Sequence, residues 1–257
     1  MTVQQQYAGQ PQSSSGWERV PVHLAYDHAR KNIAELLGSC PEAAPLGVPS
    51  CPQWTVRDMV AHLVVVCGVV TSDAVTDPAS IPAAVAESVQ AHEGVGVAEL
   101  LVEWEQLAER IEALAERDGR RARVVTMDAF THEVDLRQVL DAPVPADHPA
   151  YPVAFEVLTD GLSASVNANG LPAFSLRAPG AEWTVGEGAP VATLRGSRHD
   201  LHRSLAGRRT AAQIAALDWS APAEPWLQAF AWGPFSPPAE AAEAAEAMES
   251  VEAVEHG

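Results

Sequence analysis

The sequence predicts an all-helical bundle followed by a smaller domain that mixes helices and strands, so its fold class is α plus α+β. Apolar residues recur at helical spacing in four long segments before residue 141. After the proline-rich loop 141–152 the segments become short and bounded by turns, which is typical of strands. A chain of 257 residues is long enough for two such cores.

The four bundle helices are predicted over residues 21–37, 54–70, 97–117 and 124–140. Thr55 and Asp58 have the spacing of a capping box, which places the start of the second helix. The segment 39–53 carries four prolines and is predicted to be a loop, as is the arginine cluster 120–123. A short helix is predicted over residues 83–92.

Changes in composition predict the domain organisation. Residues 1–16 are rich in Gln, Ser and Gly and are predicted to be disordered. The bundle then covers residues 17–145, the small α/β domain covers 150–236, and an acidic Ala/Glu tail covers 237–257. In the second domain, strands are predicted over 173–177, 182–185 and 191–194, with helices over 153–167 and 199–205. Thr210 and Gln213 have the spacing of a capping box, which predicts a further short helix that ends near Asp218.

Composition also restricts the class of partner. The formal net charge is -18, which argues against binding nucleic acid or an anionic membrane surface. The N-terminus lacks the pattern of a secretory signal, and no window approaches the roughly 18 apolar residues of a membrane helix. Three cysteines are too few for a disulfide framework. These observations predict a cytoplasmic protein that binds neither nucleic acid nor a membrane, and they leave open whether it is a monomer or a homodimer.

Asp128 and His132 are the most informative polar pair, because residues four apart lie one turn apart on the same side of a helix. His62, within the apolar second helix, can supply a third ligand. Two imidazoles and one carboxylate suit a divalent ion with open positions, with zinc favoured over iron, nickel or manganese. The alternatives are a core histidine at 62 and a surface pair at 128 and 132. Asp135 is predicted to orient an imidazole or to pair with Arg137.

Two motifs, WTVRDMVAHL at 54–63 and HEVDL at 132–136, resemble the N-terminal domain of the mycothiol-dependent maleylpyruvate isomerase family. That family belongs to the DinB-like superfamily of metal-binding four-helix bundles. The C-terminal region is similar to the sterol-carrier-like domain that follows the bundle in this family, through DLHRSLAGRR at 200–209 and EPWL at 224–227.

The resemblance implies that His62, Asp128 and His132 bind the metal and that the actinobacterial thiol mycothiol is the cofactor. It also implies an arginine that holds the substrate carboxylate, for which Arg208 is the candidate and Arg209 the next. The implied activity is cis–trans isomerisation of a maleylpyruvate-like acid or transfer of the thiol to an electrophile. A non-catalytic ligand-binding protein and a metal-dependent hydrolase are the alternatives. One departure is that position 128 is Asp where the family usually has Glu.

Overall fold

A computed structural model describes residues 13–72 and 91–242. The chain divides into two compact units, one formed by Glu18–Val157 and the other by Met1–Trp17 together with Leu158–Gly257. The predicted helix at 83–92 and the acidic tail lie mostly outside the described residues. None of the described helices is both long and apolar enough to cross a membrane.

The unit Glu18–Val157 is the predicted four-helix bundle. The third bundle helix is divided in two, because the Arg110 N–H bonds to the Leu107 carbonyl and tightens the chain at that point. The helices are α1 (Val22–Ser39), α2 (Val56–Thr71), α3 (Val97–Ala108), α4 (Ile111–Arg117) and α5 (Gly119–Val139).

Helix α5 is the centre of the bundle, and most of its residues from Val125 to Leu136 are buried. Its apolar side chains pack with those of α1 and α2, including Ile33, Val60 and Val64, none of which is exposed. Because α5 also carries Thr, His, Glu and Asp into this interior, each of those polar groups needs a partner there. The polar partners of α5 therefore define the candidate site.

Side-chain hydrogen bonds cap the first turns of α2 and α5 and so set where these helices begin. The predicted capping box at α2 is confirmed, with the Asp58 N–H donating to Thr55 Oγ1 at 3.2 Å and the Thr55 N–H donating to Asp58 Oδ2 at 3.0 Å. Asp118 caps α5 by accepting the Arg121 N–H at 3.0 Å. This cap extends α5 through the arginine cluster, so the prediction of a loop at 120–123 was wrong.

The segment predicted as a proline-rich loop contains an antiparallel hairpin of β2 (Gly47–Val48) and β3 (Cys51–Thr55). None of its prolines occupies a position paired between the two strands, and the one proline within a strand is exposed. The missing proline N–H therefore removes no hydrogen bond between the strands. Val48 is buried and anchors the hairpin to the bundle. The hairpin delivers Cys51 and Trp54 to the start of α2.

The second unit contains a five-stranded sheet. Its strands are β1 (Ser13–Ser15), β4 (Phe174–Ala178), β5 (Ala181–Val185), β6 (Thr193–Arg195) and β7 (Asp218–Trp219), and their order in the sheet is β1-β5-β4-β6-β7. The edge strand β1 lies in the segment that the sequence predicted to be disordered, because backbone pairing with β5 needs no apolar side chains. The helices are α6 (Tyr151–Ala168), α7 (Arg198–Leu205), α8 (Ala211–Ala215) and α9 (Glu224–Leu227), and the division between the units falls within α6.

Aromatic residues fill the core of this unit. Trp219 and Trp226 stack with ring centroids 5.5 Å apart, and Phe174 packs against both rings. Elsewhere in this unit, residue 161 must be glycine, because a Cβ there would clash with the Trp232 ring. The capping box predicted from Thr210 and Gln213 is present and starts α8.

Candidate metal centre

The three predicted ligands come together inside the bundle. His62 is on α2, and Asp128 and His132 are one turn apart on α5, so that one ligand atom of each lies within 4.8 Å of the others. The rings of His62 and His132 have centroids 5.1 Å apart and are nearly perpendicular, at 83°. Two rigid helices thus present two imidazoles and one carboxylate to a common point.

The Asp128 carboxylate lies between the two imidazoles. His62 Nε2 is 3.4 Å from Asp128 Oδ2, and His132 Nε2 is 3.6 Å from Asp128 Oδ1. Both separations exceed those of a good N–H···O hydrogen bond. They are close to the spacing of about 3.4 Å between two ligands that each lie about 2.1 Å from one tetrahedral ion. The distances therefore fit a shared cation better than a pair of direct hydrogen bonds.

His62 provides a second test of this fit. Its Nε2 is buried and has no hydrogen-bond partner within the part of the chain that the structure describes. A buried polar atom left in that condition costs free energy, and a bound cation would satisfy it. The side chains of His62, Asp128 and His132 are 15%, 26% and 6% exposed. The group is accordingly sheltered but reachable, as an open coordination position requires.

Aromatic and polar neighbours surround the three residues. The half-buried Trp54 ring lies 4.8 Å from the His62 ring and 5.9 Å from the His132 ring, measured between centroids. On the other side of His132, Asp135 Oδ2 is 3.1 Å from Nδ1. Cys51, His132 and Asp135 form a second group whose ligand atoms lie within 4.8 Å of one another. Sequence reasoning did not bring Trp54 or Cys51 to this place, because both arrive on the unpredicted hairpin.

A different polar network occupies the next position along α5. Glu133 accepts hydrogen bonds from Asn32 Nδ2 at 2.9 Å and from Arg137 Nε at 2.7 Å, and lies 3.0 Å from His148 Nε2. Burial by itself raises the pKa of Glu133, but the hydrogen bonds and charges of His148 and Arg137 outweigh it and hold the pKa below its usual value. The spacing of Glu133 and Arg137 could have signalled their pair, whereas His148 is brought in only by the tertiary fold.

Arg208 and Arg209 belong to the other compact unit, in the turn after α7. Arg208 is half-buried, and its Nη1 donates to the Ala206 carbonyl at 2.8 Å. Arg209 is buried, and its Nη2 donates to Asp200 Oδ1 at 2.6 Å. The carboxylate of Asp200 therefore engages Arg209.

Comparisons with known proteins agree with this geometry. Residues 26–147 match the family described as the mycothiol maleylpyruvate isomerase N-terminal domain. A comparison with curated proteins finds no significant match.

Among solved structures, the chain is similar to a crystal structure of the mycothiol-dependent maleylpyruvate isomerase, with 14% identity and a TM-score of 0.51. The likeness covers 79% of this chain and 94% of that one. A mutant of that isomerase, with a histidine replaced by alanine, is similar at 13% identity and a TM-score of 0.48, over 79% of this chain and 94% of the mutant. At this identity the likeness establishes the fold, and the family match covers the bundle that holds His62, Asp128 and His132. The bundle of this chain therefore belongs to the mycothiol maleylpyruvate isomerase N-terminal domain family.

Proposed function

We propose that this protein is a metal-dependent enzyme that uses mycothiol to act on an electrophilic small molecule, by cis–trans isomerisation of a maleylpyruvate-like acid or by transfer of the thiol. The observation that carries the proposal is the convergence of His62, Asp128 and His132 at separations that suit one divalent ion. Zinc is the preferred ion, because two imidazoles and one carboxylate are typical of its open sites. The family match of the bundle supports mycothiol as the thiol.

The two histidines and the aspartate contribute differently to holding the ion. His62 and His132 supply neutral nitrogen donors from different helices, which keeps the donors rigidly apart. Asp128 supplies charge and turns one oxygen toward each imidazole, at 3.4 and 3.6 Å. A divalent ion bound here would lower the pKa of a coordinated thiol and keep it as thiolate at neutral pH.

The shorter carboxylate at position 128 is compatible with this role. An aspartate reaches one methylene less far than the glutamate usual in the family. Here its two oxygens lie 3.4 and 3.6 Å from the imidazole nitrogens, and these distances support a ligand role despite the shorter side chain. A non-catalytic bundle would have no use for this arrangement, whereas a metal-dependent hydrolase would use the same ligands with water in place of the thiol.

Two other residues act on the organic reactants in this proposal. Trp54 forms an apolar wall beside both imidazoles and restricts the entry of water to the reacting thiol. Arg208 binds the carboxylate of the substrate, for which a guanidinium offers two parallel hydrogen bonds. Replacing Arg208 with Lys keeps the charge but removes the paired geometry, so this variant should raise KM more than it lowers kcat.

The decisive measurement is the metal content of the untagged protein, followed by an assay of maleylpyruvate isomerisation with added mycothiol. Wild type should contain about one divalent ion per chain, since three donors and a solvent-accessible position make a single site. His132→Ala should lose both the ion and the activity. His23→Ala is the matched control, because that histidine is on α1 of the same bundle and its nearest acid is Glu112 at 3.8 Å.

The outcomes separate the candidate functions. A full complement of metal in both His62→Ala and His132→Ala would overturn the proposed site. Metal-dependent consumption of mycothiol with an electrophile, without isomerisation, would identify a transferase. Turnover of esters or amides without any thiol would identify the hydrolase, and wild type that takes up no zinc would favour a non-catalytic binding protein.

A further inference from the structure

His132 contacts a different carboxylate at each of its two ring nitrogens. Nε2 lies 3.6 Å from Asp128 Oδ1, within the predicted ligand group, whereas Nδ1 lies 3.1 Å from Asp135 Oδ2. The first separation is too long for a strong hydrogen bond and the second is within its normal range. The two nitrogens are therefore in chemically different situations.

Asp135 could take part in either of two arrangements. It could be a ligand, together with Cys51 and His132, because these three also form a group with ligand atoms within 4.8 Å of one another. Alternatively it could accept a hydrogen bond from His132 and leave the metal to His62, Asp128 and His132. Both groups include His132. A neutral imidazole has only one lone pair to give, so His132 can serve as a ligand in one of the two groups but not in both.

The geometry points to the second arrangement: Asp135 is a positioning residue that holds the proton of His132 on Nδ1 and so directs the Nε2 lone pair toward His62 and Asp128. This inference rests on the proposed function for the identity of the ligand group. An ionised carboxylate can only accept, so the hydrogen in the 3.1 Å contact belongs to Nδ1. Neutral imidazole carries one ring hydrogen, which leaves Nε2 as the donor to a metal.

Burial and backbone geometry strengthen the effect. The Asp135 side chain has 0% exposure and that of His132 has 6%, so water competes weakly for this hydrogen bond. The two residues are three apart on α5, which fixes their relative position without any help from a loop. A carboxylate on the outer nitrogen also raises the basicity of a ligating imidazole, and loss of such partners commonly costs about 10- to 100-fold in metal affinity.

The first test uses metal-free protein labelled with nitrogen-15, in which long-range proton–nitrogen spectra distinguish the two histidine tautomers. The His132 signals are identified by their absence from His132→Ala. Wild type should have Nδ1 protonated, and Asp135→Ala should shift His132 toward the form protonated on Nε2. Asp135→Asn is the isosteric second variant, which preserves packing if the alanine variant folds poorly and should retain part of the preference through its amide oxygen.

The second test measures zinc affinity by competition with a chromogenic chelator. Asp135→Ala should weaken binding about 10- to 100-fold, and Asp135→Asn should weaken it less. Glu112→Gln is the matched control, since it removes an exposed carboxylate of the same bundle that belongs to neither group of candidate ligands, and it should change neither the tautomer nor the affinity.

Three results would overturn the inference. One is a wild-type His132 protonated on Nε2, and another is an Asp135→Ala variant with unchanged tautomer and affinity. The third is a thiolate-to-cobalt absorption band in the Co²⁺-loaded protein that disappears in Cys51→Ser, which would make Asp135 a ligand alongside Cys51. The tautomer is measured without metal, so the two proposals can fail separately. If wild type shows the expected tautomer but binds no zinc, the hydrogen bond from His132 to Asp135 is supported and the proposed function is contradicted.

Discussion

Two neighbouring residues of α5, His132 and Glu133, contribute to two polar clusters with opposite characters. Around Glu133 the separations are 2.7 Å to Arg137, 2.9 Å to Asn32 and 3.0 Å to His148. Around Asp128 the separations to the two histidines are 3.4 and 3.6 Å. Both clusters pair carboxylates with histidines inside one bundle, yet only the first closes with direct hydrogen bonds.

The difference indicates which polar cluster supports the fold and which is the candidate metal site. The Glu133 cluster is held by direct contacts. Glu133 Oε1 accepts from Asn32 and Arg137, Oε2 lies 3.0 Å from His148 Nε2, and His148 Nδ1 accepts the Ala150 N–H at 3.1 Å. At His62 the nearest carboxylate oxygen is 3.4 Å away, and the buried ring nitrogen has no hydrogen-bond partner among the described residues. A cluster of charged groups in direct contact stabilises the fold, whereas one with spaced donors is suited to an added ion.

The largest expected effect is a contrast between two alanine variants: Glu133→Ala should lose stability, and His132→Ala should lose metal binding. Glu133→Ala should lower the free energy of unfolding by about 3–5 kcal/mol, because it strands Arg137 and His148 in the interior. His132→Ala should abolish metal binding and cost less stability in metal-free protein. Urea denaturation of EDTA-treated samples measures the first quantity, and Glu105→Ala on the exposed face of α3 is the control. Equal destabilisation by the two changes would remove the distinction between the clusters.

A smaller effect is expected at the edge of the Glu133 cluster. Asn32→Ala removes one hydrogen bond to Glu133 Oε1 but leaves that oxygen bonded to Arg137. The expected loss is about 1.5–3 kcal/mol in the free energy of unfolding, the usual value for a hydrogen bond to a charged group. Zinc affinity should stay within about twofold of wild type, since affinity follows ligands and their direct partners. A large loss of zinc affinity would mean that the two clusters are coupled.

The smallest effect concerns pH in metal-free protein. The pKa of Glu133 is lowered in the folded state, so the stability that its charge contributes is present above the unfolded value of about 4.3 and is lost as the pH falls through the folded pKa. The difference in unfolding free energy between wild type and Glu133→Gln should therefore be constant near neutrality and shrink below about pH 4.3. Denaturation curves at successive pH values measure it, and a difference that grows in acid would contradict this assignment.

Local sequence patterns were enough to predict the bundle and the metal-ligand candidates. The positions of Asp128 and His132 follow from helical periodicity alone, because side chains four apart share a face whatever surrounds the helix. The caps at Thr55 and Thr210 are equally local and are confirmed. The strand at 13–15 was missed because it depends on pairing with β5, far along the chain. The hairpin at 47–55 and the break between α3 and α4 are local features, but the prolines of the first segment and the continuous apolar spacing of the second predicted a loop and an unbroken helix.

The sequence by itself therefore determined where the main helices of the bundle lie and which of their faces carry the candidate ligands, since both depend on interactions within a few residues. Only the tertiary structure decided that His62 faces Asp128, that Trp54 lies against both imidazoles, and that Asp135 contacts His132 while Arg137 pairs with Glu133. The last two pairs join residues three and four apart, so helix geometry favours them over a pair of Asp135 with Arg137, which are only two apart. Which face of α5 turns toward α2 depends on the rotation of the helix within the bundle, and that rotation follows from packing the apolar core against α1 and α2.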